Sequence, residues 1–155
     1  MATDVLRIYI DTNALIAALE GEGTIATLVQ QVLAESATDR VTFVTSQLTL
    51  GELLVGPLRD EDAVRSNAIL ALFAGEGPLE IAEIDRAIVI AAADLRAGYQ
   101  RLKWPDAIRL ATALGKECSH VLSNDHGLPK LPGLTFIRLQ EAALQNMLVE
   151  IRHAD

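Results

Sequence analysis

Four acidic residues in four separate segments are the side chains of this chain best suited to chemistry. Asp11 directly follows Val5 to Ile10, a short β-rich run. Asp125 follows His120 to Leu122 after two intervening residues, in the turn Ser123-Asn124-Asp125-His126-Gly127. Glu52 lies among Leu50, Leu53, Leu54 and Val55, and Gly51 beside it would let another backbone come close. A carboxylate in so apolar a stretch is not buried unless a cation meets it. Asp106 falls in the first turn of a helix opened by Pro105, at the head of the face that Ala107, Leu110, Ala111 and Leu114 turn inward. Taken singly, each has a plain structural role. Asp11 can cap a helix, Asp106 can complement a helix dipole, and Glu52 can pair with a buried Arg. Taken together, four carboxylates at close range raise one another's pKa unless a counter-ion is present. One or two divalent cations resolve that conflict. All-oxygen ligands select Mg²⁺, with Mn²⁺ able to substitute, over zinc.

For these side chains to meet, strands and helices must alternate. Val5 to Ile10 predicts a buried strand, and Asp11-Thr12-Asn13 predicts the start of a helix over Ala14 to Leu19. Gly21 and Gly23 break that helix, and Ile25, Leu28, Val29, Val32 and Leu33 give the next, Thr24 to Ala34, an amphipathic spacing. Val41 to Val44 predicts a second strand, and a helix capped by Ser46 runs to about Val55, where Gly56-Pro57 is expected to stop it. An Asp60-capped helix ends near Gly75, and a third strand spans Leu79 to Ile84. Asp85 caps a long helix through Leu102, and the Pro105 helix reaches Leu114. Short strands at His120 to Leu122 and Leu134 to Ile137 follow, then a final helix from about Gln140 to Ile151. Connections this long do not make hairpins. They predict an α/β fold, a three-layer α/β/α sandwich around a five-stranded parallel sheet. In open parallel sheets ligands bind beyond the carboxyl ends of the strands, where Asp11 and Asp125 fall.

Composition narrows the function classes. The 155 residues carry 13 basic and 21 acidic side chains, a net charge of −8, and half of them are hydrophobic. That suits one domain with a full core, and it excludes a disordered chain or a fibre. The longest apolar run in a helical pattern, Ala87 to Ala93, is far short of the roughly 20 residues that span a bilayer, so no membrane segment is expected. The start of the chain has no basic stretch leading into an apolar one, so no signal peptide is expected. Cys118 is the one cysteine and cannot form an internal disulfide, which predicts a reduced, cytoplasmic protein and a packing role for that thiol. The acidic balance argues against a DNA-coating protein.

The ordered set Tyr9-Ile10-Asp11-Thr12-Asn13-Ala14-Leu15, Leu50-Gly51-Glu52-Leu53, Pro105-Asp106-Ala107-Ile108 with Ala111-Thr112-Ala113, and Leu122-Ser123-Asn124-Asp125 resembles the PIN-domain ribonucleases. In style it is closest to the VapC-type toxins of bacterial type II toxin–antitoxin systems, and the likeness extends from about Val5 to Leu139. The resemblance implies one PIN domain over residues 1–155, with about 140–155 a C-terminal helical tail. It implies that Asp11, Glu52, Asp106 and Asp125 hold the metal and carry catalysis, with Thr12, Asn13 and Ser123 supporting them. The implied activity is metal-dependent endoribonuclease cleavage. No Ser–His or Cys–His arrangement is evident, so water is expected to attack directly, leaving a 5′-phosphate and a 3′-hydroxyl. A cognate antitoxin and a homodimer are the implied partners. The helices at Thr24 to Ala34 and Ser46 to Val55 could form a groove for the antitoxin, or be ordinary core helices.

An RNA substrate must approach an acidic protein. From Leu95 to Lys116 the balance reverses, with five basic residues against Asp106 alone. Arg96, Arg101, Lys103 and Arg109, with Trp104 and Tyr99 among them, could hold a phosphate backbone and stack a base. Equally, Arg96 and Arg109 could pair with acids and Trp104 could be core. His126, beside Asp125, could touch substrate or be a surface histidine in a Gly-containing turn, and His120 and His153 have no metal-ligand partner at helical spacing. Phosphoryl transfer through an aspartyl-phosphate at Asp11 is the rival enzyme chemistry. The usual form of it wants a second acid two residues on, where Asn13 stands. A non-toxin nuclease and a non-catalytic RNA or protein interaction module are the remaining alternatives.

Overall fold

The central strand of the sheet is the first in the sequence. In the computed structural model, which describes residues 5–154, β1 (Leu6–Ile10) lies between β2 (Val41–Ser46) and β4 (His120–Leu122). β3 (Leu79–Ala82) extends the sheet beyond β2, and β5 (Thr135–Ile137) extends it beyond β4. The order is β3-β2-β1-β4-β5, and every pairing is parallel. Parallel neighbours need long crossovers, and helices supply most of them. Helices α1 (Thr12–Glu20) and α2 (Gly23–Ala34) join β1 to β2, and α3 (Gln47–Arg59) and α4 (Ala63–Leu72) join β2 to β3. Helices α5 (Arg86–Gly98) and α6 (Trp104–Gly115) join β3 to β4, and α7 (Glu141–His153) follows β5. This is the five-stranded α/β/α sandwich that the alternation predicts. Residues 1–4 and 155, which the single-domain reading also takes in, lie outside the described residues.

Alternation along β1 divides the core. Ile8 and Ile10 point to one face, where they pack with α1, α2, α7 and parts of α3 and α4. Tyr9, between them, points to the other face and packs with α5 and α6. Both faces are covered, so the strand reads as a continuous apolar run rather than an alternating one. The final helix is part of this core and not an appendage. Leu144, Met147, Leu148 and Ile151 of α7 are buried in the first cluster. Among the described residues no helix is long and apolar enough to cross a membrane.

Several boundaries depart from expectation for physical reasons. Helix α3 runs through Gly56-Pro57 to Arg59, because the Pro57 ring is buried on the face that Leu53 begins. The carbonyls near the proline are taken up by the chain beyond, with Asp60 N–H donating to Gly56 O at 3.0 Å and Asp62 N–H to Pro57 O at 2.8 Å. The cap of α4 is therefore Asp62, which accepts from Arg65 N–H, and not Asp60. Helix α5 ends at Gly98 rather than Leu102, and a turn with Leu102 N–H bonded to Tyr99 O carries the chain to α6. Gly51 does not serve a close approach, since a Cβ there would meet nothing within 4 Å.

Substitution tests the two-faced core. Ile8→Ala should lower unfolding free energy by about 2–5 kcal/mol, through lost burial and the cavity left behind. Val64→Ala, at a residue 81% exposed, should stay within about 0.5 kcal/mol of the parent. Urea denaturation monitored by circular dichroism would read both.

Candidate active site

The carboxyl ends of β1 and β4 are locked together. Asp11 N–H donates to Leu122 O at 3.0 Å, and Ser123 N–H donates to Ile137 O on β5 at 3.0 Å. Asp11 caps α1 and is 3% exposed. Its Oδ1 accepts from the Thr12 N–H at 2.8 Å, and its Oδ2 accepts from the Ser123 hydroxyl at 2.6 Å. The Ser123 Oγ in turn accepts from the Asp125 N–H at 3.1 Å. One hydroxyl therefore ties together the two acids that the sheet places at neighbouring strand ends.

Glu52 arrives from α3 and Asp106 from the first turn of α6. Thr12 reaches across from α1, and its hydroxyl donates to Glu52 Oε2 at 2.8 Å. Asn13 Oδ1 accepts from the Asn124 N–H at 3.2 Å, which holds the loop after β4 against α1. Asp125 Oδ1 accepts from Gly127 N–H at 2.8 Å, and Arg138, just past β5, donates to the Asp125 carbonyl at 2.7 Å. An open cleft of about 440 Å³ is lined by Asp11, Thr12, Asn13, Ile16, Glu52, Arg109 and Asp125. Thr12 and Ser123 bond directly to Glu52 and Asp11, whereas Asn13 bonds the loop backbone.

Arg109 is the cation of the cluster. It lies one turn beyond Asp106 on α6 and is 14% exposed. Its Nη1 is 2.5 Å from Asp106 Oδ1, and its Nη2 is 2.5 and 2.6 Å from the two oxygens of Glu52. Its Nε is 3.0 Å from Asp11 Oδ1, but the N–H is not directed at that oxygen, so this buried nitrogen has charge contact without a hydrogen bond. Burial works against the Arg109 charge, yet the surrounding Asp11, Glu52 and Asp106 outweigh it and raise its pKa. Burial also raises the pKa of Asp106. Arg109 opposes that rise, while the charges of Asp125 and Asp11 add to it.

Of the two roles open to Arg109, the structure gives pairing with acids. Its guanidinium faces three carboxylates in this structure. The other basic residues are not drawn into the cluster. Arg96 stacks over Trp104, 4.7 Å from the ring centroid, and its Nε donates to Leu102 O at 2.8 Å. Trp104 is partly exposed rather than core, and Arg101 and Lys103 are exposed. Sequence reasoning missed Arg138 and Ile16. A basic residue straight after β5 was a usable signal for the first. Nothing marked the second, an apolar residue within α1.

The donor set suits a hard divalent ion. Four carboxylates and one guanidinium leave a formal charge of −3, and the unsatisfied Arg109 Nε shows that a planar guanidinium fills the space imperfectly. As they stand, no three acidic, cysteine or histidine side chains among the described residues could grip one ion, and Arg109 stands between the carboxylates. Asp11, Glu52, Asp106 and Asp125 are the residues that would hold one.

The PIN domain family matches residues 8–134 of this sequence. The chain belongs to that family. No curated relative matches it. Among solved structures, this PIN domain is similar to a toxin–antitoxin complex from Klebsiella pneumoniae, at 25% identity over 83% of this chain and 95% of that one, with a TM-score of 0.60. It is similar also to VapBC2 from Rickettsia felis, solved with a promoter DNA fragment, at 15% identity over 86% and 98% with a TM-score of 0.66. VapBC-5 from Mycobacterium tuberculosis aligns at 24% identity over 85% and 98%, with a TM-score of 0.55. The latter two likenesses speak for the fold.

The raised pKa of Asp106 has a signed consequence. The folded protein holds that proton more tightly than the unfolded chain, so ionising Asp106 costs stability as pH rises from 3.8 through the folded value. The stability of Asp106→Asn relative to the parent should therefore rise with pH across that window and level off above it. Thermal melts across an acid-to-neutral pH series would read it, and a difference flat in pH would show that Asp106 ionises unopposed.

Proposed function

We propose that this PIN domain is a divalent-metal-dependent endoribonuclease, the toxin of a type II toxin–antitoxin pair. The observation that carries the reading is that Asp11, Glu52 and Asp125 line one open cleft at the carboxyl edge of a parallel sheet, with Asp106 joined to them through Arg109. Bound by these carboxylates, Mg²⁺ or Mn²⁺ would supply charge neutralisation at the scissile phosphate and a lowered pKa for water.

The chain's own groups supply orientation. Thr12 and Ser123 fix the oxygens of Glu52 and Asp11 by direct hydrogen bonds, so these acids need little reorganisation when substrate arrives. The hydroxyls at the site are engaged by its acids, with Thr12 donating to Glu52. The Ser123 hydroxyl donates to Asp11, and the Cys118 thiol is buried elsewhere with its pKa pushed up to about 12 by that burial. In the proposed reaction water is the attacking group, with no covalent intermediate, and a 5′-phosphate and a 3′-hydroxyl are the products.

The turn between α5 and α6 is the proposed path of the RNA strand. Arg96 holds that turn through Leu102 O and the Trp104 ring, which leaves Arg101 and Lys103 facing solvent beside part-exposed Tyr99 and Trp104. Tyr99 and Arg101 share a shallow cleft with Gly127, two residues from Asp125. Cations beside aromatic faces suit single-stranded RNA. For the antitoxin, the amphipathic helices divide. Helix α2 is a core helix, whereas α3 joins α1 and α4 in an apolar cleft of about 250 Å³ lined by Ile16, Leu19, Leu53, Ala68 and Ile69. Ile16 lines the acidic cleft as well, so a peptide laid along this groove would reach the acids.

Two measurements test the reading. Purified protein should cleave a short RNA in Mn²⁺, chelator should stop it, and Asp11→Asn should lower the rate on the order of 10²-fold or more. Cleavage that survives the substitution would sink the assignment, and no cleavage of any RNA would favour the non-catalytic module. For the RNA path, Arg101→Ala with Lys103→Ala should flatten the slope of log affinity against log salt by about 1.4, at roughly 0.7 per phosphate contact on a single strand. An unchanged slope removes this turn from the path.

A further inference from the structure

We propose that Arg109 is the cation this site carries when no metal is bound, and that a divalent ion enters only by displacing its guanidinium from Asp11, Glu52 and Asp106. The inference rests on the metal-dependent reading above and adds a residue that sets metal occupancy. The carboxylate oxygens that a hard ion would use are the ones that Arg109 contacts, at 3.0, 2.5, 2.6 and 2.5 Å. A guanidinium and a hydrated divalent ion cannot share those positions, so their binding is competitive.

Asp11 and Glu52 have supports besides Arg109. Asp11 is held by the Thr12 N–H and the Ser123 hydroxyl, and Glu52 by the Thr12 hydroxyl. Asp106 stands in the first turn of α6, and its carboxylate is bonded to Arg109. Withdrawal of the guanidinium therefore leaves Asp11 anchored by Thr12 and Ser123, and frees the Glu52 and Asp106 oxygens that it held to turn toward an ion. The guanidinium itself is imperfectly held, since its buried Nε makes no hydrogen bond. Its stem is flexible and its helix is anchored by Ala107, Leu110 and Ala111, so it can swing out by side-chain rotation alone. With Arg109 in place the four acids still carry a formal charge of −3, which continues to attract a divalent ion. The displaced arginine remains tethered to α6, beside the cleft.

Calorimetric titration of Mn²⁺ alone into the full chain tests this. Arg109→Gln should bind Mn²⁺ about tenfold or more tightly than the parent, since close charge pairs couple on that scale. Arg109→Lys keeps the competing charge and should stay near the parent. A second reading needs no variant. Titration of Mg²⁺ into the isotope-labelled parent should shift the Arg109 Nε–Hε resonance in step with metal binding. Equal or weaker Mn²⁺ affinity in Arg109→Gln overturns the proposal while leaving the metal-dependent reading intact, and so does an Nε–Hε signal unmoved at saturating Mg²⁺. If neither the parent nor Arg109→Gln binds Mn²⁺, both fall together.

Discussion

A buried carboxylate must be surrounded by donors, and Asp11 organises this molecule through that requirement. At 3% exposure it has almost no water to solvate it. The Thr12 N–H, the Ser123 hydroxyl and the charge of Arg109 stand in for water. Each of these comes from a different element, so satisfying one side chain fixes the start of α1, the loop after β4 and the inner face of α6 relative to one another. The same hydroxyl of Ser123 accepts from Asp125 N–H, and the same residue Thr12 donates to Glu52. The site is thus a connected network in which the acids share their supports.

Much of this was legible in the residues. The alternation of strands and helices, the caps at Asp11 and Asp85, and the apolar face of α6 each follow from local pattern, and the parallel sheet follows from connection length. The four acids could be singled out because each breaks an apolar context or sits at a strand end. Helix ends were less legible. Gly56-Pro57 looks like a stop because proline lacks a donor, yet burial of the Pro57 ring and the bonds from Asp60 and Asp62 outweigh that loss. The terminal segment looked like a tail because the family likeness stops near Leu139. Its apolar residues Leu144, Leu148 and Ile151 nonetheless lie on one face against the core.

The partners of individual cations were the least legible feature. Arg109, Arg96 and Arg101 stand in one basic stretch, and spacing alone does not tell them apart. Their fates differ because of the helix geometry. Arg109 is on the same face of α6 as Asp106, Arg96 is in the last turn of α5 against Trp104, and Arg101 is in the turn between. A single helical turn decides whether a guanidinium neutralises acids or faces solvent.

The place of β1 at the middle of the sheet has a consequence for when the molecule becomes complete. Its register partners in β4 lie more than a hundred residues downstream, and Asp106, Arg109 and Asp125 all belong to the final third of the chain. During synthesis the early strand has a neighbour on one edge only, with Asp11 and Glu52 present and their remaining companions still to be made. The second edge closes, and the acidic cleft with it, once β4 docks. A nascent chain that has not yet reached β4 therefore lacks Asp125 and the strand that closes the cluster.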